Sequence, residues 1–204
     1  MQRGFRSTLS LLLLSASAAS ALDLPATNEA IARRVFRDIL SQGHFDLAAT
    51  LYAPDFVNHG QTRDADLATD QAAARGWREA APDIELAPEL TVAEGDLIAV
   101  LWRARGTNTG AGNGLPATGR HVDARGVTLW RIDGGRIREE WSEFGMLDLL
   151  QQAGLVPFGP GEAPPSDARS HAYPAARSAV SDAERAANRR IARQVLGEIG
   201  GEGC

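Results

Sequence analysis

The spacing of apolar residues changes near the middle of the chain. In the first part Ile31, Val35, Ile39 and Leu40 recur every three or four residues, which predicts a helix that Thr27 can cap and Gly43 ends. A shorter helix is expected over 44–51 from Phe45, Leu47, Ala48 and Leu51, with Pro54 stopping it. Residues 55–59 read as a short extended piece. A third helix over 66–80 carries Leu67, Ala74 and Trp77 on its apolar side. After Pro82 the period falls to two. Strands are expected over 84–93, 97–107, 121–132 and 136–144, with tight turns at Glu94-Gly95-Asp96 and Asp133-Gly134-Gly135. The glycine-rich stretch 106–119 reads as a loop at the sheet edge. A closing helix over 146–153 ends at Gly154. Helices followed by an antiparallel meander give an α+β class. The expected architecture is a strongly curved antiparallel sheet with helices packed on it, a cone with an internal pocket at its open end.

Outside this domain, expected over 27–157, the pattern differs. Arg3 and Arg6, the apolar run 9–16 and the small residues Ala19-Ser20-Ala21 read as a signal peptide over 1–21, implying an exported, periplasmic or secreted protein. The apolar run is too short to span a bilayer, so no membrane span is expected after cleavage. Residues 158–180 are rich in Pro, Gly, Ser and Ala and read as a flexible linker. Beyond it, 188–199 (NRRIARQVLGEI) repeats 28–39 (NEAIARRVFRDI) in register, and Gly203 answers Gly43. The segment 181–204 therefore reads as a helix like the start of a second, truncated copy.

Composition narrows the chemistry. The formal charge of −5 gives no sign of nucleic-acid binding. The chain has no lysine, which removes Schiff-base lysines and a Walker-type phosphate loop. The single cysteine, Cys204, allows no intrachain disulfide. The four histidines, 44, 59, 121 and 171, lack zinc-ligand spacing, so no metal is expected.

Seven short stretches occur in order: FVNHG at 56–60, APDIEL at 81–86, EGD at 94–96, WRARGTNTG at 102–110, ATGRHV at 117–122, DGGRIREEW at 133–141 and LLQQAGLVP at 149–157. Together they resemble the SnoaL-like polyketide cyclase or ester cyclase family, within the nuclear-transport-factor-2-like fold, over 28–157. The resemblance implies an aldol-type ring closure of a polyketide ester, with an acidic general acid/base and neither metal nor cofactor. It also implies an Asp four residues after the strand tryptophan. Here Trp141 is followed at that spacing by Gly145.

Strand alternation puts Ile137, Glu139, Trp141 and Glu143 on one face, leading to Gly145. Glu143 is the carboxylate on that face closest to the vacant position, and is a candidate catalytic acid/base; a solvent-facing or helix-capping residue is the alternative. His59 resembles the family's pocket histidine and is a second catalytic candidate, with a backbone-tying loop histidine as its alternative. His121 is a third, as a pocket group or a solvent-facing strand start. Its strand row continues through Asp123 and Arg125, either lining the cavity or forming a solvated ion pair. Asn58, Trp77, Trp102 and Trp141 are substrate-binding candidates; each Trp can equally be plain core, and Asn58 can point outward. Ile98, Val100, Trp102 and Ala104 alternate with Arg103 and Arg105, giving one apolar and one basic face; the basic face suits water or a homodimer contact. Two functional readings result. One is cofactor-free acid/base catalysis (cyclase, isomerase or lyase) on a small apolar carbonyl compound. The other is a non-catalytic module binding a small apolar ligand.

Overall fold

The computed structural model describes residues 24–60, 62–161 and 181–201. The chain divides into two compact units, Met1–Ala168 and Arg169–Cys204. The expected signal peptide lies outside the described residues, as does the linker beyond residue 161.

In the first unit, helix α1 (Leu24–Arg34) runs on into a π-helical segment, Val35–Ser41. Its apolar stripe is the core: Ile31, Ala32, Val35, Phe36 and Ile39 are all buried. Gly43 ends it with φ +76°, a conformation glycine adopts without strain. Arg78 lies over that glycine and donates to the carbonyls of Leu40 (3.2 Å) and Ser41 (2.6 Å), so a side chain satisfies the open helix end. A 3-10 turn (Phe45–Leu47) and the single turn α2 (Ala48–Leu51) follow. They deliver β1 (Tyr52–His59), which pairs with the short β2 (Asp64–Asp66). Asp66 caps α3 (Leu67–Ala80) by accepting from the amide of Thr69 at 2.9 Å. The strands β3 (Glu85–Glu94), β4 (Leu97–Thr107), β5 (His121–Asp133) and β6 (Arg136–Phe144) then form the meander, and α4 (Met146–Gln152) closes the unit.

The six strands lie in the order β2-β1-β6-β5-β4-β3 in one open sheet. The meander is antiparallel as expected, but β1 lies parallel to β6, so the sheet is mixed. Alternation did not reveal this because β1 is brought beside the last strand by the chain's return, a non-local pairing. The fold is α+β, with the helical segments around the inner face of the sheet. Along β4 the residues Ile98, Val100, Trp102 and Ala104 are buried, as the alternation predicts.

Two irregularities shape the inner face. The β5–β6 register runs Arg131↔Glu139 and then Ile132↔Ile137, leaving Arg138 as an extra residue on β6. Such a bulge moves every later residue to the other face relative to simple alternation. The second irregularity is Gly126, opposite Trp102 in the ladder. The indole lies over the glycine, where an added Cβ would sit 2.3 Å from Trp102 Cζ2 and 2.6 Å from the Glu143 carbonyl oxygen. There the indole N–H donates to Thr128 Oγ1 at 3.0 Å.

The glycine-rich loop between β4 and β5 is bound to the end of α3. The Ala80 carbonyl accepts from Gly110 N (3.0 Å) and from the buried Asn108 Nδ2 (3.1 Å). Gly76 and Gly112 let helix and loop backbones touch: a Cβ on Gly112 would sit 2.0 Å from the Gly76 carbonyl oxygen. The second unit's described part is helix α5 (Asp182–Gly201), begun by a reciprocal capping box between Ser181 and Glu184. Among the described residues, no helix is long and apolar enough to cross a membrane.

The contact at Gly126 yields a prediction. Gly126→Ala forces Trp102 off its seat and breaks its bond to Thr128, so urea denaturation should show a loss of about 1–3 kcal/mol, the range for overpacking a tight core. Unchanged stability would mean that the indole is not seated there.

Candidate functional site

A cavity of about 240 Å³ lies between the inner sheet face and the helices. Its walls are largely aromatic and aliphatic: Phe36, Trp77, Trp102, Phe144, Ile84 and Leu86 among them. Its polar groups are Asn58, Asp70, Glu140, Thr128, Ser142 and Tyr52, with Arg78 committed to the Leu40 and Ser41 carbonyls. The two carboxylates belong to different elements. Asp70 stands on α3 one turn before Ala73 and Ala74 and two turns before Trp77, so the face that lines the cavity carries one acid. Glu140 stands on β6 beyond the bulge, which turns it inward with Ser142 and Phe144.

Glu140 is buried and its bonds are specific. Trp130 Nε1 donates to Oε2 at 2.7 Å, and Ser142 Oγ donates to Oε1 at 2.8 Å. Ser142 Oγ lies 2.7 Å from Thr128 Oγ1, which accepts the Trp102 indole N–H. Since an indole only donates, a consistent chain of donors runs Trp102, Thr128, Ser142, Glu140. Asn58 joins the two acids: its Nδ2 lies 2.7 Å from Asp70 Oδ1 and 3.5 Å from Glu140 Oε1.

Burial, and then the nearby Asp70 charge, push the Glu140 carboxyl up to about 7, against the downward pull of the Trp130 and Ser142 hydrogen bonds. Asp70 is raised as well, chiefly by burial, with the Asn58 and Gln71 amides opposing. The buried Tyr52 hydroxyl is pushed well above its ordinary value by burial and then by the charges of Glu140 and Asp70, so it remains protonated. A carboxyl that gains and loses its proton near neutrality, in an apolar cavity beside a neutral phenol, suits general acid/base chemistry.

The sequence candidates divide between the two faces of the sheet. Asn58, Trp77 and Trp102 line the cavity; His59, His121, Trp141 and Glu143 do not. Glu143 is exposed on the outer face, and the bulge at Arg138 is the reason: it reverses the parity on which the choice of Glu143 rested. Trp141 lies on that same outer face, stacked on His59 at 4.7 Å between ring centres. His59 Nδ1 faces Asp64 Oδ1 at 3.3 Å rather than the cavity. His121 is exposed at the start of β5. Next on its row, Asp123 pairs with Arg103 and Arg105, the solvated alternative. Gly145 stands exposed before α4 and does not line the cavity. The residues that sequence reasoning missed are Asp70, Glu140, Ser142, Thr128 and Tyr52. For Asp70 a signal existed: a carboxylate on the apolar side of the third helix, in helical register with Leu67, Ala74 and Trp77. Among the described residues, no cluster of three or more His, Cys, Asp or Glu could hold a metal ion.

A mixed sheet wrapped by helices around a buried pocket defines the cone-shaped class typified by nuclear transport factor 2. Residues 30–153 match the SnoaL-like polyketide cyclase family, which is well over half of the chain, and the protein belongs to that family. Solved structures agree on the fold. A candidate SnoaL-like polyketide cyclase from Jannaschia sp. CCS1 is 22% identical with a TM-score of 0.61, over 66% of this chain and 96% of its own. AclR of Streptomyces galilaeus, a candidate hydroxylase, is 24% identical with a TM-score of 0.59, over 67% and 91%. IdmH of Streptomyces antibioticus, a candidate polyketide cyclase, is 25% identical with a TM-score of 0.56, over 62% and 97%. No curated protein matches the chain.

The buried acids make a prediction about stability. A carboxyl raised in the folded state holds its proton more tightly there than in the unfolded chain. Its contribution is therefore complete below the ordinary value of 4.5 and is lost as pH rises through about 7. The difference in Tm between Glu140→Gln and the parent protein should shift in the variant's favour between pH 4.5 and 7.5. Parallel Tm profiles would show that Glu140 titrates normally.

Proposed function

We propose that the cavity performs cofactor-free proton transfer on a small apolar carbonyl compound, with Glu140 as general acid/base. The observation that carries this reading is a buried, hydrogen-bonded carboxyl, pushed up to about 7, at an aromatic cavity of about 240 Å³. As carboxylate, Glu140 takes a proton from the carbon beside a substrate carbonyl, breaking the C–H bond and leaving an enolate. In a ring closure the enolate carbon attacks a second carbonyl carbon, a C–C bond forms, and the new alkoxide takes the proton back from Glu140. If the enolate is instead reprotonated elsewhere, the outcome is isomerisation. Either way atoms and electrons balance without an oxidant or reductant. Asn58 and Ser142 hold the carboxyl, and the neutral Tyr52 hydroxyl supplies a donor for the developing oxyanion. The aromatic walls exclude water and hold the substrate's apolar body.

The competing reading, a non-catalytic binding module, draws on Gly145 at the position where the family resemblance implies an Asp. Deuterium uptake from D₂O into 2-tetralone, followed by proton NMR, separates the two. The catalytic reading expects exchange faster than the buffer rate, falling about 10²–10⁴-fold in Glu140→Gln, the usual worth of a positioned acid/base. No acceleration by the parent protein would leave the binding module; undiminished exchange in the variant would remove Glu140 from its role.

The reading extends to an exported protein, supported by the charged, apolar and small-residue order of 1–21. It takes the outer sheet face, with its paired Arg103, Asp123 and Arg105, as a contact for a second copy. It takes α5 as a repeat of α1 and the π-helical segment after it, since Ile191, Ala192 and Val195 repeat the buried Ile31, Ala32 and Val35. Protein recovered from the periplasm or medium should have the mass of a chain starting at Leu22 and sediment as a dimer. An intact leader, or a monomer at micromolar concentration, would refute the respective part.

A further inference from the structure

A second, smaller cavity of about 40 Å³ adjoins the first. The two share five wall residues: Trp77, Ile84, Ala104, Ala124 and Leu149. The partition is thin for a reason found in the ladder. Ala104 and Ala124 are directly opposite on β4 and β5, so the smallest side chain that can line a strand stands at both places. Trp77, which lines both cavities, meets Phe144 in a T-shaped contact at 5.8 Å and is not held in a parallel stack there.

The second cavity has no polar work left to offer. Its Asn108 is spent on the carbonyls of Ala80 and Gly110 and on Thr118. Its Arg105 is paired with Asp123. The remainder, including Val122, Leu115 and Ala153, is apolar. With about 40 Å³ against the main cavity's 240 Å³, this largely apolar space suits a short hydrocarbon group.

We infer that the second cavity is a specificity subsite for a short alkyl branch of one or two carbons on the substrate's apolar body. This rests on the reading of the main cavity as a ligand site, and not on its catalytic role. The geometry selects among ligands of one shape: the body lies between the aromatic walls, and the branch passes the Ala104–Ala124 gap.

Binding of 2-naphthol and its 6- and 7-methyl, -ethyl and -propyl derivatives, read by isothermal titration calorimetry, tests it. In one ring position the alkyl series should tighten by about fourfold per carbon, the transfer value of a buried methylene. Ala153→Val fills the second cavity without touching the main one, and should abolish that increment while leaving 2-naphthol within about twofold. Leu115→Ala enlarges the cavity from the loop side and should extend the gain to propyl, which covers the event that Ala153→Val does not fold. If 2-naphthol binds but no derivative gains, or the gain survives Ala153→Val, or Leu115→Ala leaves the series unchanged, the subsite is wrong and the main-cavity reading stands. If 2-naphthol itself does not bind, both fall.

Discussion

One extra residue in β6 governs what the cavity contains. Without the bulge at Arg138, alternation from Ile137 would send Glu140 and Ser142 to the outer face and bring Glu139 and Trp141 inward. Trp130 would lose the acceptor for its buried indole N–H, and the donor chain from Trp102 through Thr128 would end on nothing. The bulge thus couples the strand's pairing to the chemistry of the pocket. Ile137 stays in the core below the irregularity while an acid enters the cavity above it.

The cavity keeps two acids out of bulk water with their partners fixed. Burying a carboxylate is costly unless it is hydrogen-bonded or takes a proton. Glu140 does both, since two donors hold its oxygens while the neighbouring Asp70 favours the protonated form. Asn58 spans the pair, so a single amide on β1 ties α3 to β6, which also meet where Trp77 packs edge-on against Phe144. Gly126 and the Trp102 indole extend the same logic to β4, because the glycine leaves room for the ring whose N–H starts the donor chain.

Much of this was legible before any coordinates. The change of period after Pro82, the two glycine turns and the apolar side of the third helix define elements whose ends agree with the structure to within a residue or two. The alternation on β4 correctly assigns Trp102 inward, and the aromatic side of α3 correctly assigns Trp77. Glu143 lies outside the cavity because the bulge reverses the alternation, and a bulge leaves no mark in a pattern of single residues. His59 failed for a related reason: Asn58 and His59 are neighbours on one strand, so only one of them can face the cavity, and Val57 and Phe56 do not decide which. The parallel β1–β6 contact was invisible because it joins segments far apart in the chain. The family pattern identified the container, while which carboxylates face the cavity depended on a register that only the folded sheet displays.

Helix α3 is held at both ends: Asp66 fixes its first turn, and Asn108 and Gly110 take hold of its last carbonyl. Its fourteen residues are therefore a measured span between two stops. Adding or removing one residue inside it would rotate everything beyond by about 100°, since a turn takes 3.6 residues. Such a change between Asp70 and Trp77 would carry the two to different walls, whichever stop gave way. Length variation among close relatives of this chain should accordingly gather outside the helix, in segments that bear on neither stop, and the helix itself should change by substitution alone.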